Sequence, residues 1–458
     1  MITRRAFATL AATTALLPEV SLAQSIPEAS GLYRAQWDLI FGTDQAFNKA
    51  LEQIHERGNP DMAASIIQAL RFSNGSTEAM VETLEAITGT KSGKTWFDWM
   101  LWQETHPEVI PHPTYTRFKR EIFLRIDPNF SDFLKPDYLA RDRMKIRLEE
   151  ITWGGVYKDG IPSLDNPTLI PATDADYMLD TDLVFGVSIN GDTRAYPLRI
   201  MGWHEMFNEV IGGVPVALAY CTLCGSGILF ETDVKGRQKP FVFGSSGFLY
   251  RSNKLMFDRE THSLWNQFTG KPVVGPLVDR NIELKQRPVV ITSWAEWRRN
   301  NPDTRILSLK TGHRRDYGSG VVYQDYFASN DLMFPTRVDQ TRHRQKDYVF
   351  GIRTQGAAKA WPLKVFAGGK VINDRINATP LVLIGDEATR TVRAYESQGL
   401  VFKIKGDGLI SGDGRAWTIS EDNLKASDGQ NLPRVAGHIA YWFAWNGYLG
   451  AESELYES

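Results

Sequence analysis

Cysteine is nearly absent from this chain of 458 residues: there are two, Cys221 and Cys224. So few cysteines exclude a disulfide-framework fold and any four-cysteine metal site within one chain. A formal net charge of −2 offers no electrostatic footprint for nucleic acid or for a membrane surface. No apolar run is long enough to span a bilayer, so no transmembrane segment is expected in the mature chain. No nucleophile triad or phosphate-cradling glycine loop stands out, and Gly-rich fragments such as GDG at Gly406 read as turns. What is present is an ordinary globular balance, 42% hydrophobic with thirteen tryptophans, in a chain long enough for two or three domains.

Residues 1–23 read as an export signal, with Arg4 and Arg5 ahead of an apolar stretch and a small-x-small cleavage site ending at Ala23. The order Thr3-Arg4-Arg5-Ala6-Phe7 resembles the twin-arginine form of bacterial signal. The expected location is therefore periplasmic or otherwise exported, an oxidising environment.

Residues 24–140 carry helical periodicity. Phe47, Ala50, Leu51 and Ile54 share one helix face that stops at Gly58-Asn59-Pro60. Ile66, Ile67 and Leu70 repeat the pattern, and Met80, Leu84 and Ile87 form a third helix closed by Gly89. Short helices with tight polar turns predict an antiparallel helical array. The aromatic run from Trp96 to Trp102 reads as a packing face, and a Pro-, Gly- and Asp-rich approach follows from Ile151 to Asp182.

The rest is duplicated. Residues 184–218 align without gaps to 349–383, with eleven of 35 positions identical. Each copy reads as strand, turn, strand, helix, strand, with Asn190-Gly191 as a two-residue hairpin turn. The fold class expected is α+β: the helical array, then a first β-rich lobe over 141–340 and a second, degenerate one over 341–458, with one helix per lobe. The copies differ where chemistry would reside, since His204, Cys221 and Cys224 become Gly369, Asp386 and Thr389.

Trp203, Met206, Phe207, Val210 and Ile211 follow helical spacing, stopped by Gly212-Gly213. That places His204 at the edge of a buried helix face. Val214 to Tyr220 alternates as a strand, and CTLCGSG then turns the chain into Ile228-Leu229-Phe230. A Cys-x-x-Cys-Gly turn between strands resembles the knuckle of rubredoxin-like and zinc-ribbon sites, whereas thioredoxin-type pairs begin a helix. Two thiolates and an imidazole suit a transition metal, copper before zinc, with Met256 or His262 as a fourth ligand. Met256 also reads as plain core and His262 as surface loop. Glu205 is a candidate general base beside such a metal, weighed against a solvated helix face. His438, before an aromatic C-terminal segment, reads as a core or interface residue.

The stretches AYPLRIMGWHEMFNEVIGGVPVALAYCTLCGSGILFE and FGSSGFLYRSNKLMFDRETHSLWNQFTGKPVVGPL, with WAEW at Trp294, NPDT at Asn301 and RDY at Arg315, resemble the bacterial family catalogued as domain of unknown function 3179. The resemblance covers most of residues 141–458 and leaves the helical portion outside. It marks the WHE and CxxCG elements as signature positions and assigns no activity. Three readings follow: an exported copper or zinc protein with a redox role and an unidentified redox or protein partner, a thiol–disulfide protein using Cys221 and Cys224, or a non-catalytic binding module with an inert disulfide.

Overall fold

The computed structural model describes residues 26–406 and 408–457. The export signal expected over residues 1–23 lies outside them. The architecture is α+β, with helices gathered at the N-terminal end and sheets after Ile151.

The helices form for the reasons their periodicity implies. Asp44–Arg57 is capped by the Thr43 side chain and closed by Gly58. Thr77–Thr88 is capped by Ser76 and closed by Gly89, and Trp96–Thr105 opens with a Thr95/Asp98 capping box. Their apolar faces meet around Leu39, Ile54, Ile66, Leu84 and Trp99, all fully buried. Helix Tyr115–Ile126 joins this bundle to the β portion, because Phe123 and Phe130 lie 4.9 Å and 4.4 Å from the ring of Phe248. Among the described residues, no helix is long and apolar enough to cross a membrane.

The duplication extends well past the 35 aligned residues. In the first lobe, strand Leu183–Ile189 pairs with Asp192–Pro197 and with Val290–Ser293, and Arg305–Leu307 runs parallel to Asp192–Pro197. In the second, Tyr348–Thr354 pairs with Ala357–Pro362 and His438–Tyr441, and Ser453–Leu455 runs parallel to Ala357–Pro362. Helices Trp294–Asn300 and Trp442–Leu449 occupy the same place in each lobe. Their second tryptophans, Trp297 and Trp445, fill the space over Gly186 and Gly351, where an added Cβ would come within 2.2 Å and 1.9 Å of the ring.

Polar contacts repeat as well. Arg194 and the Tyr196 hydroxyl bond to Glu209 in one lobe, and Lys359 and the Trp361 indole bond to Asp374 in the other. Asn208 exchanges two hydrogen bonds with the backbone of Phe243, as Asn373 does with Phe402.

One element differs from its sequence reading. The helix expected over Trp203–Ile211 is Leu198–His204, and Met206–Ile211 is a strand in a hairpin with Val214–Cys221. The strand is covered on both faces except at Val210, so its apolar residues run on without strand alternation and imitate helical spacing. Gly212-Gly213, with φ of 53° and 81°, is the hairpin turn and not a helix stop. In the second copy the corresponding helix shrinks to the 3-10 turn Leu363–Phe366.

The lobes bury each other's apolar faces. One continuous core takes Phe185, Tyr196, Phe207 and Leu218 from the first lobe and Phe350, Trp361, Ile372 and Leu383 from the second. The contacts are reciprocal in the manner of an isologous dimer: Ser226–Glu231 lies against His438–Tyr441, and Thr391–Glu396 against Val290–Ser293. Replacing Gly351 by alanine should therefore overpack Trp445 and cost about 1–3 kcal/mol, read as a lower urea midpoint. Alanine at the exposed turn glycine Gly356 is the comparison, expected to cost less.

Candidate functional site

Strand Val214–Cys221 ends at the first cysteine, and Ser226 opposite it starts the return strand. Between them the backbone closes a turn, with Cys224 N–H donating to the Cys221 carbonyl at 3.2 Å and Gly225 N–H to Thr222 at 3.3 Å. Gly225 sits at φ 60°, a conformation that a glycine adopts freely. Cys221 and Cys224 are joined by a disulfide, and both are buried.

The turn is roofed by the other lobe and by the segment connecting the lobes. Tyr441 N–H donates to the Cys224 carbonyl at 2.8 Å, and the Tyr326 hydroxyl donates to the Leu223 carbonyl at 2.7 Å. The rings of Tyr348 and Tyr441 stack on each other and lie directly against Gly225. Burial raises the pKa of Tyr220, Tyr323, Tyr326 and Tyr441, so these hydroxyls stay protonated; the Tyr441 hydroxyl accepts from that of Tyr348 at 3.0 Å.

The side chain that reaches this turn from the WHE motif is Glu205, not His204. Glu205 ends helix Leu198–His204 in the left-handed region, φ 54°, with its N–H on the Met201 carbonyl. Its own carbonyl accepts from Tyr220 N–H at 2.8 Å, fixing it beside the last turn of the strand. One carboxylate oxygen accepts from the Thr222 hydroxyl at 2.7 Å, and the other pairs with Lys254 at 3.0 Å. Glu205 and Lys254 are 6% and 3% exposed, so Glu205 is not on a solvated helix face. The site is thus a buried ion pair hydrogen-bonded to Thr222, the first of the two residues between the cysteines.

His204 looks elsewhere. It is fully buried, and its Nδ1–H donates to the Pro162 carbonyl at 2.9 Å. Nε2 is then the acceptor for the Tyr317 hydroxyl at 2.6 Å, and that hydroxyl lies 2.7 Å from Thr311. Burial depresses its pKa to about 4. With Nδ1 carrying the proton and the Nε2 lone pair taken by Tyr317, the ring has no lone pair directed at a sulfur.

The donors expected for a metal are therefore not gathered at one point. The sulfurs are bonded to each other, and the imidazole is committed to Pro162 and Tyr317. Met256 is fully buried in the core beneath the turn, among Trp265, Phe243 and Cys224. His262 sits in a half-exposed turn beside Phe133, Phe257 and Asp132. No group of three His, Cys, Asp or Glu side chains among the described residues is placed to hold a metal ion. This arrangement does not fit copper or zinc. His438 is buried against Phe268 and Trp445, as a core residue.

A family model described as "Protein of unknown function (DUF3179)" matches residues 158–452. The chain belongs to the DUF3179 family. Comparison with curated proteins and with solved structures gave no match. The DUF3179 match covers both lobes and begins beyond the N-terminal helices. Within it the WHE and RDY motifs prove to be in contact: His204 meets Tyr317, and the Trp203 indole donates to the Asp316 carbonyl at 2.7 Å.

The second lobe supplies an internal control for this DUF3179 site. Its turn Asp386–Thr391 keeps the same cross-strand closure, Asp386 opposite Thr391 as Cys221 is opposite Ser226. Arg390 takes the place of Gly225 at φ 55°. The Thr389 hydroxyl donates to the Asp386 carboxylate at 3.2 Å where the first lobe has its disulfide. The turn forms without sulfur. The cysteines are thus not needed to shape it.

Two outcomes follow. Lys254→Met leaves the Glu205 carboxylate buried without its cation and should destabilise the fold by about 3–5 kcal/mol. Adding Glu205→Gln should recover a large part of that loss, measured as urea midpoints. His204 stays neutral in the folded chain down to about pH 4, whereas an unfolded histidine protonates near its ordinary 6.5. Between these values the unfolded state binds more protons, so stability falls as pH drops, by up to about 1.4 kcal/mol per unit from this ring. His204→Gln should flatten the slope of urea stability between pH 6.5 and 4.5.

Proposed function

We infer that this is a thiol–disulfide redox protein whose centre is the Cys221–Cys224 pair, acting after export. The observation that carries the reading is the sulfur-free turn of the second lobe, which has the same backbone and rests on an Asp386–Thr389 hydrogen bond. A disulfide placed where a hydrogen bond suffices contributes something other than shape. Its loop is also short, three positions, so chain entropy accounts for only about 2 kcal/mol of stability.

The chemistry is exchange. A substrate thiolate attacks one sulfur, the Cys221–Cys224 bond breaks, a mixed disulfide forms and the other cysteine leaves as thiolate. A second substrate thiolate then attacks the substrate's sulfur. The products are the substrate disulfide and the protein dithiol, which holds the two electrons and the two protons the thiols lost. Run backwards, the same steps reduce a disulfide.

Around these steps the residues have separable tasks. Thr222, held by Glu205, keeps the turn in place while the sulfurs part. The Glu205–Lys254 pair puts fixed charge beside a site that must carry a transient thiolate. Tyr326 and Tyr441 hold the backbone carbonyls of Leu223 and Cys224.

The test is a Cys221→Ser/Cys224→Ser variant. It should fold, with a stability loss near the 2 kcal/mol of the short loop, and should neither reduce insulin disulfides nor oxidise dithiothreitol, where the wild type does one or the other. Equal behaviour of variant and wild type would reject the reading. For the metal reading, the reduced protein incubated with copper or zinc and desalted should retain less than about a tenth of an equivalent by metal analysis.

A further inference from the structure

Beside the turn lies a solvent-connected cavity of about 640 Å³ between the second lobe and the connecting segment. Lys346, Lys364 and Arg390 line it, and among the described residues none of the three forms an ion pair. Its two carboxylates are Asp347, already engaged by Arg344 at 3.2 Å, and Glu387, which is exposed. The cavity therefore presents more positive charge than it neutralises internally.

Tyr348 is its link to the disulfide. The Arg390 guanidinium lies over the Tyr348 ring at 4.3 Å, and the ring lies directly against Gly225, the residue after Cys224. Arg390 is also close enough to Tyr220 and Tyr441 to offset part of the burial that raises their pKa values. Lys346 reinforces the same wall, donating to the Tyr326 and Ser329 carbonyls with its ammonium 3.3 Å from the Tyr326 ring centre. The degenerate lobe has thus put a cation where the first lobe has glycine, one aromatic ring away from Gly225.

We propose that this cavity binds the anionic group of the thiol whose sulfur exchanges with Cys221–Cys224, making the substrate class small acidic thiols and their disulfides. The proposal rests on the redox reading above. An anion held by Arg390 and Lys364 is drawn to the turn by charge and oriented by the fork of the guanidinium; both sulfurs are buried, so the Tyr348 ring has to swing aside for exchange.

Three thiols of similar size and opposite charge test it: 3-mercaptopropionate, 2-mercaptoethanol and cysteamine. Reduction of the folded protein is followed by alkylation and mass, and rates are compared at equal thiolate concentration and low salt. The anionic thiol should react about tenfold or more faster than the cationic one, and the ratio should fall towards one at high salt. Lys364→Glu, at an exposed position, should invert the order. Arg390→Gly, which suits the left-handed backbone there, should shrink the ratio. Rates blind to charge in wild type would overturn the cavity and leave the redox reading standing. A folded protein that reacts with none of the three would remove both.

Discussion

The mutual burial of the two lobes is the constraint on which everything else depends. Each lobe has apolar sheet faces that only its counterpart covers, and the resulting core runs through both without a break. Because the pairing is reciprocal, a strand beside the corresponding turn of each lobe lies against the opposite lobe, and in the first lobe the turn itself is covered. In the first lobe that turn is CTLCG, and its roof is Tyr348 and Tyr441. The disulfide is shielded because of where the duplication places it. Access to sulfur therefore goes by way of the roof.

The two copies show what the fold requires and what it tolerates. Asn208 and Asn373 satisfy the backbone of the following segment in the same way, and each lobe keeps an acid clasped by a cation and an aromatic donor, buried in the first lobe and partly buried in the second. Each also keeps a tryptophan seated on a glycine. An unsatisfied buried donor or an overfilled core costs on the order of kilocalories, so these contacts survive divergence. The turn residues face no such penalty. Exchanging Cys, Cys and Gly for Asp, Thr and Arg preserved the backbone and changed the chemistry.

Much of this was readable before any coordinates. Helices Asp44–Arg57 and Thr77–Thr88 declare themselves because each buries a single stripe and ends on a glycine. The Asn190-Gly191 hairpin and the Cys-x-x-Cys-Gly turn declare themselves because only a few residue types accept positive φ. Met206–Ile211 misled, since a strand buried on both sides carries no alternation, and its glycine pair suits a hairpin as well as a helix end. That misplacement turned the wrong side chain of WHE towards the cysteines: with the helix ending at His204, the imidazole faces Pro162 and Tyr317, and Glu205 faces the turn. Lys254, Tyr348 and Arg390 were beyond reach, because nothing local marks a residue that meets the turn only after strand pairing or lobe pairing. The W-x-x-W spacing shared by Trp294–Trp297 and Trp442–Trp445 marks the helical part of the duplication in the sequence itself.

A redox role requires the Cys221–Cys224 bond to open and close while the protein stays folded. Native protein is equilibrated without denaturant in thiol/disulfide buffers of graded potential, quenched by alkylation and weighed. The account predicts a reversible two-electron transition approached identically from the oxidised and reduced sides, with circular dichroism unchanged across it. A bond that yields to reductant only after urea has unfolded the chain would contradict it.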